Sequence, residues 1–337
     1  MKKTYYLFNP GRLSRKDHTL KFTPTPANGE KKPAKYLPVQ GIKSLYIFGS
    51  LDANSALYSF LGKSQIPVHF FDYYQHYTGS FMPKEFLQAG KMQIVQTQHY
   101  LDDSKRQTIA RRFLKGATHH MLRNLKYYQG RGLPLSETIE QIDALGQHFT
   151  LISSSLEIPE LMGIEGNIRQ IYYQSFDHIV KYLPFEYRSR QPPHNALNAL
   201  ISFGNMLAYT ACLDQIYHTQ LNPTISFLHE PGFRRFSLAL DLAEIFKPLL
   251  VDRLIFSMVN KRQIHPQDFD PIEGAILMTE KTKKTFIQQW DQRLSETFMH
   301  RSLKRKISYR TLIRLEVYKL AKHLLGIQAY QPFLSRW

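Results

Sequence analysis

His229, Asp241 and Glu244 are the residues of this chain whose types and spacing invite chemistry. His229 closes an apolar run in the stretch 225–253, ahead of Pro231-Gly232 and the pair Arg234-Arg235. Asp241 and Glu244 stand three apart among Leu238, Leu240, Leu242, Ile245, Phe246, Leu249 and Leu250. That spacing puts both carboxylates on one helical face, about one turn from each other. Like charges on a helix that apolar are costly unless a cation neutralises them. A divalent metal shared with His229 would do so. Ion pairs with Arg234 and Arg235 would also do so, and both readings stay open at this point. Ser237 suits the N-cap of this helix. Pro248 cannot donate to the carbonyl of Glu244, so the helix is expected to kink or end just past the carboxylate.

A second acid stands in the stretch 161–173. Ile164, Ile168 and Ile171 form a helical stripe with Glu165 beside it, between Gly163 and Gly166. Glycine inside a helix costs about 1 kcal/mol relative to alanine, so a close backbone approach is expected there. Taken alone, Glu165 reads as an i,i+4 partner of Arg169. Further on, Arg188 and Arg190 precede Pro192-Pro193, and Asn195 can cap a helix over 196–217 that carries Asn198 in its first turn. Two arginines beside helix N-terminal amides make a candidate phosphate site. Glu165, His229 and Glu244, with Asp241 nearby, thus form the candidate metal set. Two carboxylates and an imidazole suit Mg²⁺ or Mn²⁺ and leave coordination positions open. An oxygen-rich metal site in a basic protein points to phosphodiester chemistry.

The chain has 337 residues, 43% of them hydrophobic, enough for two domains with sizeable cores. Lys and Arg number 44 against 27 Asp and Glu, a net charge of +17 that calls for a polyanionic partner, nucleic acid first. A single cysteine, Cys212, excludes a disulfide framework and structural zinc of the thiolate type. No signal-peptide h-region and no long apolar run stand out, so a cytoplasmic protein without a membrane partner is expected.

The elements that must position these residues divide into two textures. Residues 1–85 read as a small β-rich domain, with strands over 4–8, 19–22, 35–39, 44–48 and 68–73 and a helix over 54–61. They are cut by Asn9-Pro10-Gly11, by the Pro-rich 23–33 and by Gly49. Tyr73, Tyr74 and Tyr77 are expected to pack in the sheet or a dimer, with base stacking as the alternative. Residues 86–337 read as an all-helical domain, so the fold class is α+β. Residues 104–136 carry eight basic side chains and no acid, with a stripe of Ile109, Phe113, Leu122 and Leu125. That pattern favours phosphate contact over an ordinary solvated face of mixed sign. His119 and His120 are adjacent and diverge by about 100° on a helix, so they make no metal pair. Residues 281–306 read as helical, and Ser308 caps a last amphipathic helix.

Four stretches bring the chain to a known family. YIFGSLDANSALYSFLGKSQIPVHFFDYYQHYTGSF (46–81), MGIEGNIRQIYY (162–173), PPHNALNALISFGNMLAY (192–209) and FLHEPGFRRFSLALDLAEIFKPLLVDR (227–253) resemble the CRISPR-associated protein one family, the endonuclease and integrase of the spacer-adaptation module. The likeness spans almost the whole chain and departs only around His194 and Asn195. It implies that Glu165, His229 and Glu244 are metal ligands for Mg²⁺ or Mn²⁺, supported by Asp241. It implies DNA contacts from Arg169, Tyr172, Arg188, Arg190, Asn198, Arg234 and Arg235. It further implies a homodimer through the N-terminal domain and a complex with a dimer of a small companion adaptation protein. The implied reaction is insertion of protospacer DNA into a CRISPR array by transesterification, with double-stranded DNA as substrate. The other readings are a non-catalytic DNA-binding protein and a metallohydrolase of small phosphoesters.

Overall fold

The structure, a computed structural model, describes residues 2–26, 32–72, 74–83, 89–151, 156–189, 192–232, 236–272 and 274–336, with backbone alone over 148–151. It divides into two compact units, Met1–Leu87 and Gln88–Trp337.

The first unit is β-rich. Its strands are β1 (Lys3–Leu7), β2 (Gly11–Lys16), β3 (Thr19–Pro24), β4 (Lys35–Pro38), β5 (Ile42–Ile47), β6 (Leu51–Asp52), β7 (Val68–Phe71) and β8 (Tyr77–Phe81), with helix α1 (Ser55–Lys63) between β6 and β7. They form two four-stranded sheets, ordered β1-β5-β7-β8 and β4-β3-β2-β6. In the first, β1, β5 and β7 run parallel and β8 returns antiparallel. Leu13, Leu20 and Phe22 of one sheet, Ile42, Leu45, Ile47 and Val68 of the other, and Leu57 and Leu61 of α1 are buried together as one core. Asn54 caps α1, its side chain accepting from Leu57 N–H at 3.0 Å. The break expected at Asn9-Pro10-Gly11 is shorter than its composition suggests, because Gly11 already pairs with Pro24 and Leu51 as a strand residue. Tyr77 packs edge-on against Phe71, as a sheet residue should, whereas Tyr73 lies outside the described residues.

The second unit is mostly helical. It runs α2 (Gly90–Leu101), α3 (Asp103–Gln129), α4 (Ser136–Leu151), α5 (Ile158–Gln174), α6 (Phe176–Ile179), α7 (Ala196–Tyr217), α8 (Ser237–Phe246), a π-helical turn (Lys247–Asp252) and α9 (Arg253–Asn260). Then come β9 (Phe269–Ile272), β10 (Ala275–Met278), α10 (Glu280–Ser295), β11 (Thr297–His300), β12 (Arg305–Ser308) and α11 (Tyr309–Leu324). The α+β class stands, and the helical unit also holds two short hairpins, β9–β10 and β11–β12. The second corrects the helix expected through 306: α10 stops at Ser295, and residues 297–308 fold back on themselves. Asn195 and Ser308 cap α7 and α11 as expected. Ser237 does not cap α8. It is buried as the first helical residue, and its hydroxyl donates to the Thr224 carbonyl at 2.7 Å.

Helices α7 and α8 pack against each other, and α3 packs on α8 and on the π-turn. By length and composition α7 could cross a membrane, but 72% of its apolar window is buried inside the unit, which makes it a core helix. Gly204 lets α7 approach the π-turn, since a Cβ there would lie 2.3 Å from Val251 Cγ1. Pro248 ends the α-helical ladder where expected, after Phe246, and the chain widens into π geometry before resuming as α9. The break leaves carbonyls short of donors. Buried polar side chains of α3 supply them. His120 Nδ1 donates to the Ile245 carbonyl at 2.8 Å, and Asn124 Nδ2 to the Pro248 carbonyl at 2.8 Å.

The same helix revises the reading of the all-basic run. Arg106 is buried and pairs with Glu230, Arg112 donates to Gln331, and Arg123 donates to the Arg336 carbonyl. The run is split between inward anchors and an outward set near the end of α3, so it is no uniform phosphate-facing surface.

Candidate metal centre

Glu165 lies in the first half of α5 and Glu244 on α8. Arg169 joins them. Its Nε donates to Glu165 at 2.6 Å and its second amino group to the other oxygen system, the Glu244 carboxylate. Lys247 Nζ donates to the remaining Glu244 oxygen at 2.6 Å. Burial alone would raise the Glu244 pKa, but Arg169 and Lys247, with His229 beyond, outweigh it and hold the carboxyl down at about 2. Two cations thus supply the neutralisation that the acids on this helix were expected to need. The i,i+4 pairing of Glu165 with Arg169 and the Arg169–Glu244 link occur together.

Asp241 is fully buried and organises the loop that carries His229. One oxygen accepts from the backbone N–H groups of Phe227 (2.7 Å) and Leu228 (3.0 Å); the other accepts from the His229 N–H (2.9 Å) and ring Nδ1 (2.8 Å). A carboxylate can only accept, so the ring proton sits on Nδ1 and the Nε2 lone pair is left for a ligand. Burial pulls the His229 pKa down, but the Asp241 hydrogen bond and charge, reinforced by Glu244, raise it overall.

Residues that local sequence does not single out brace this loop. Gln96 of α2 donates to the carbonyls of Asn222 (3.0 Å) and Ile225 (2.8 Å) and accepts from Asn222 N–H (2.9 Å). Arg106 of α3 donates to the Phe227 carbonyl at 3.0 Å and to Glu230 at 2.6 Å. Only Lys247 had a local signal, the Glu-x-x-Lys spacing with Glu244. Asp252 is a further acid at the interior side of the site. Burial lifts its carboxyl to about 7 despite the opposing charge of Arg169 and a hydrogen bond with Tyr172.

Among the described residues, no group of three or more His, Cys, Asp and Glu side chains converges closely enough to hold a metal as it stands. The Arg169 guanidinium and the Lys247 ammonium instead occupy the carboxylate oxygens. The donor set still fits a hard divalent ion, with two carboxylates and a tautomerically fixed imidazole. There is also room. Glu165 and Gly166 line a cavity of about 400 Å³ together with Arg169, Tyr173, Tyr187 and Arg188. The glycines flanking Glu165 are not packing contacts, which corrects the close approach expected of them. A Cβ at Gly163 or Gly166 would meet nothing within 4 Å.

The expected DNA contacts divide. Tyr172 is corrected by its burial: its hydroxyl accepts from Asn124 at 2.8 Å inside the unit, where no DNA backbone reaches. Asn198 is likewise fully buried. It accepts from Arg188 (2.7 Å) and Ser189 N–H (3.1 Å) and donates to the Tyr187 carbonyl (2.8 Å), shaping the 187–189 loop. Arg188 is spent on that loop and on Ser202, and Arg169 on the two carboxylates. Arg190, Arg234 and Arg235 lie outside the described residues.

A carboxylate–imidazole donor set in a strongly basic, mostly helical unit that follows a β-rich one is suited to the phosphodiesters of nucleic acid. Residues 5–292 match the model of the family described as CRISPR associated protein Cas1, and the chain belongs to that family. A relative from Thermodesulfovibrio yellowstonii, named CRISPR-associated endonuclease Cas1 2, is 46% identical over the full length of both chains. The solved structure of a Cas1 protein from Thermotoga maritima is 38% identical, with a TM-score of 0.84, covering 98% of this chain and 99% of that one. A casposase bound to its integration product has the same fold, with a TM-score of 0.84 at 18% identity, covering 100% of this chain and 94% of that one.

Proposed function

We propose that this chain is a metal-dependent DNA endonuclease and integrase that inserts protospacer DNA into a CRISPR array. Membership of a family whose relatives are named endonucleases supports the nuclease, and the family resemblance supports strand transfer. The observation that carries the proposal is the meeting of Glu165 and Glu244 on one guanidinium, beside an imidazole whose Nε2 is kept free by Asp241.

Glu165, Glu244 and His229 would hold Mg²⁺ or Mn²⁺, which when bound lowers the pKa of a nucleophilic oxygen and stabilises charge on the reacting phosphate. The chain's own residues do the rest. Asp241 fixes the His229 ring, which would ligate the ion and not act as a base. The pocket beside Gly166 leaves space for a phosphate at Glu165. A bound ion would compete with Arg169 for the carboxylate oxygens, and a guanidinium released from one of them would be available to neutralise a phosphate. With a DNA 3′-hydroxyl as nucleophile the outcome is strand transfer; with water it is hydrolysis. A homodimer and a dimer of the small companion adaptation protein complete the proposed assembly, acting on double-stranded DNA.

Glu165→Ala and His229→Ala are expected to abolish Mn²⁺-dependent nicking of duplex DNA and integration of a short duplex into an array plasmid, with native far-UV circular dichroism retained. Full metal-dependent activity in either variant would refute the assignment.

A further inference from the structure

A cleft of about 1000 Å³ opens in the helical unit where the C-terminal ends of α3, α6 and α9 converge. It shares no residue with the carboxylate–histidine set. Six cationic side chains line it, Arg123, Lys126, Arg131, Lys181, Arg253 and Lys261, and no carboxylate does. The C-termini of α3 and α9 contribute about half a negative charge each, so helix ends account for only a minor part of the six positive charges. Lys126, Lys181 and Lys261 pair with no carboxylate among the described residues.

Two tyrosines stand at the rim, Tyr127 57% exposed and Tyr182 44% exposed. Each is backed on one face by a guanidinium, Arg131 at 5.5 Å and Arg262 at 4.8 Å from the ring centroid. Each hydroxyl accepts from that same arginine. The rings are therefore held in place while still largely exposed, Tyr127 also meeting Tyr128 edge to face at 5.1 Å. An exposed ring takes the flat face of an unpaired base, and a duplex does not present one. The volume lies at the upper end of the range of about 300–1,000 Å³ that holds small-molecule ligands, room for more than one nucleotide unit.

We infer that this cleft binds a single-stranded segment of nucleic acid, with phosphates on Lys126, Arg131 and Lys181 and bases stacked on Tyr127 and Tyr182. This deepens the DNA reading above by adding a strand-holding site at the far end of α5 and α6 from Glu165.

The test uses the full chain in chelator and a fluorescein-labelled oligothymidylate of about ten nucleotides, within the span a single-strand groove covers. Its anisotropy is followed across a salt series, with a duplex of equal length as the second probe. The triple variant Lys126→Ala/Arg131→Ala/Lys181→Ala is expected to bind the single strand at least tenfold more weakly, with a log–log salt slope shallower by about 2. Tyr127→Ala and Tyr182→Ala are each expected to weaken single-strand binding about 5- to 100-fold and duplex binding less than twofold. All five side chains are on the surface, so the melting temperature should stay within a few degrees. Wild-type affinity and slope in the triple variant would overturn the site, and equal losses on both probes in the tyrosine variants would overturn its single-strand character. Nicking by the wild type is scored separately. Lost cleft binding with a wild type that never nicks would leave the cleft standing and refute the proposed activity; nicking with unaltered binding would do the reverse.

Discussion

Asp241 accepts four hydrogen bonds, three of them from consecutive backbone amides, and holds the one imidazole of the site in a single tautomer. Asp241→Asn turns a donor toward N–H groups that need an acceptor. The expected cost is about 1–3 kcal/mol for each group left unmatched, read as a lower melting temperature with a parallel fall in nicking. Arg169 sits between two acids, and removing one partner of a buried ion pair costs about 3–5 kcal/mol. Arg169→Met should therefore melt lower, and Mn²⁺ should raise its melting temperature more than that of the wild type, because the ion replaces the lost counter-charge on the same oxygens. Equal Mn²⁺ shifts in both proteins would count against those oxygens as ligands. His120 gives a pH signature. Burial pushes its pKa from 6.5 to about 3, so the folded interior requires the neutral ring. The stability from this group is full above about pH 6.5 and is lost as acid approaches pH 3, at up to about 1.4 kcal/mol per unit. His120→Gln keeps a donor for Ile245 and an acceptor for Ser335. It should flatten that part of the acid melting profile. Glu165, His229, Asp241 and Glu244 could be picked out by type and spacing. The pairings of Arg169 with Glu165 and of Lys247 with Glu244 had local spacing signals, but the Arg169–Glu244 link did not, because it spans 75 residues and only folding makes the two neighbours.

Helices and glycines separate packing from function at the next scale. Gly204→Ala drives a Cβ into Val251 and should cost about 1–3 kcal/mol, about 2–4 °C of melting temperature per kcal/mol in a unit of this size. Gly166→Ala meets open space, so the melting temperature should hold or rise by the equivalent of about 0.5–1 kcal/mol, while metal-dependent nicking falls as the methyl enters the Glu165 cavity. Opposite signs on stability from one chemical change would confirm that the two glycines serve different ends. The sequence offered the wrong one as the packing residue: Gly163 and Gly166 flank a candidate ligand, whereas Gly204 lies unmarked in an apolar helix. Caps at Asn195 and Ser308 and the break at Pro248 were legible because they are local. Hairpins β9–β10 and β11–β12 were not, since strands of four residues leave too short a pattern beside long helices.

For the molecule as a whole, a net charge of +17 predicts that the proposed binding of DNA is salt-dependent and needs no metal. Excess chelator should abolish nicking while leaving duplex binding at low salt within about twofold, which would separate holding DNA from cutting it. The net charge pointed to nucleic acid, and the unbroken basic run 104–136 placed the contacts along its whole length. The fold instead turns Arg106 into a brace for the His229 loop and leaves the end of the helix, near Lys126 and Arg131, to face outward.

The π-turn at 247–252 has a consequence for the phase of everything after it. Each residue of a helix advances the chain by about 100°, and a π-turn is equivalent to one residue inserted into an α-helix. Glu244 upstream and Arg253 downstream are thus two marks on a single rod whose halves have been twisted out of step. Deleting one residue from the turn would restore continuous winding and rotate Leu254, Ile255 and Phe256 away from their buried positions.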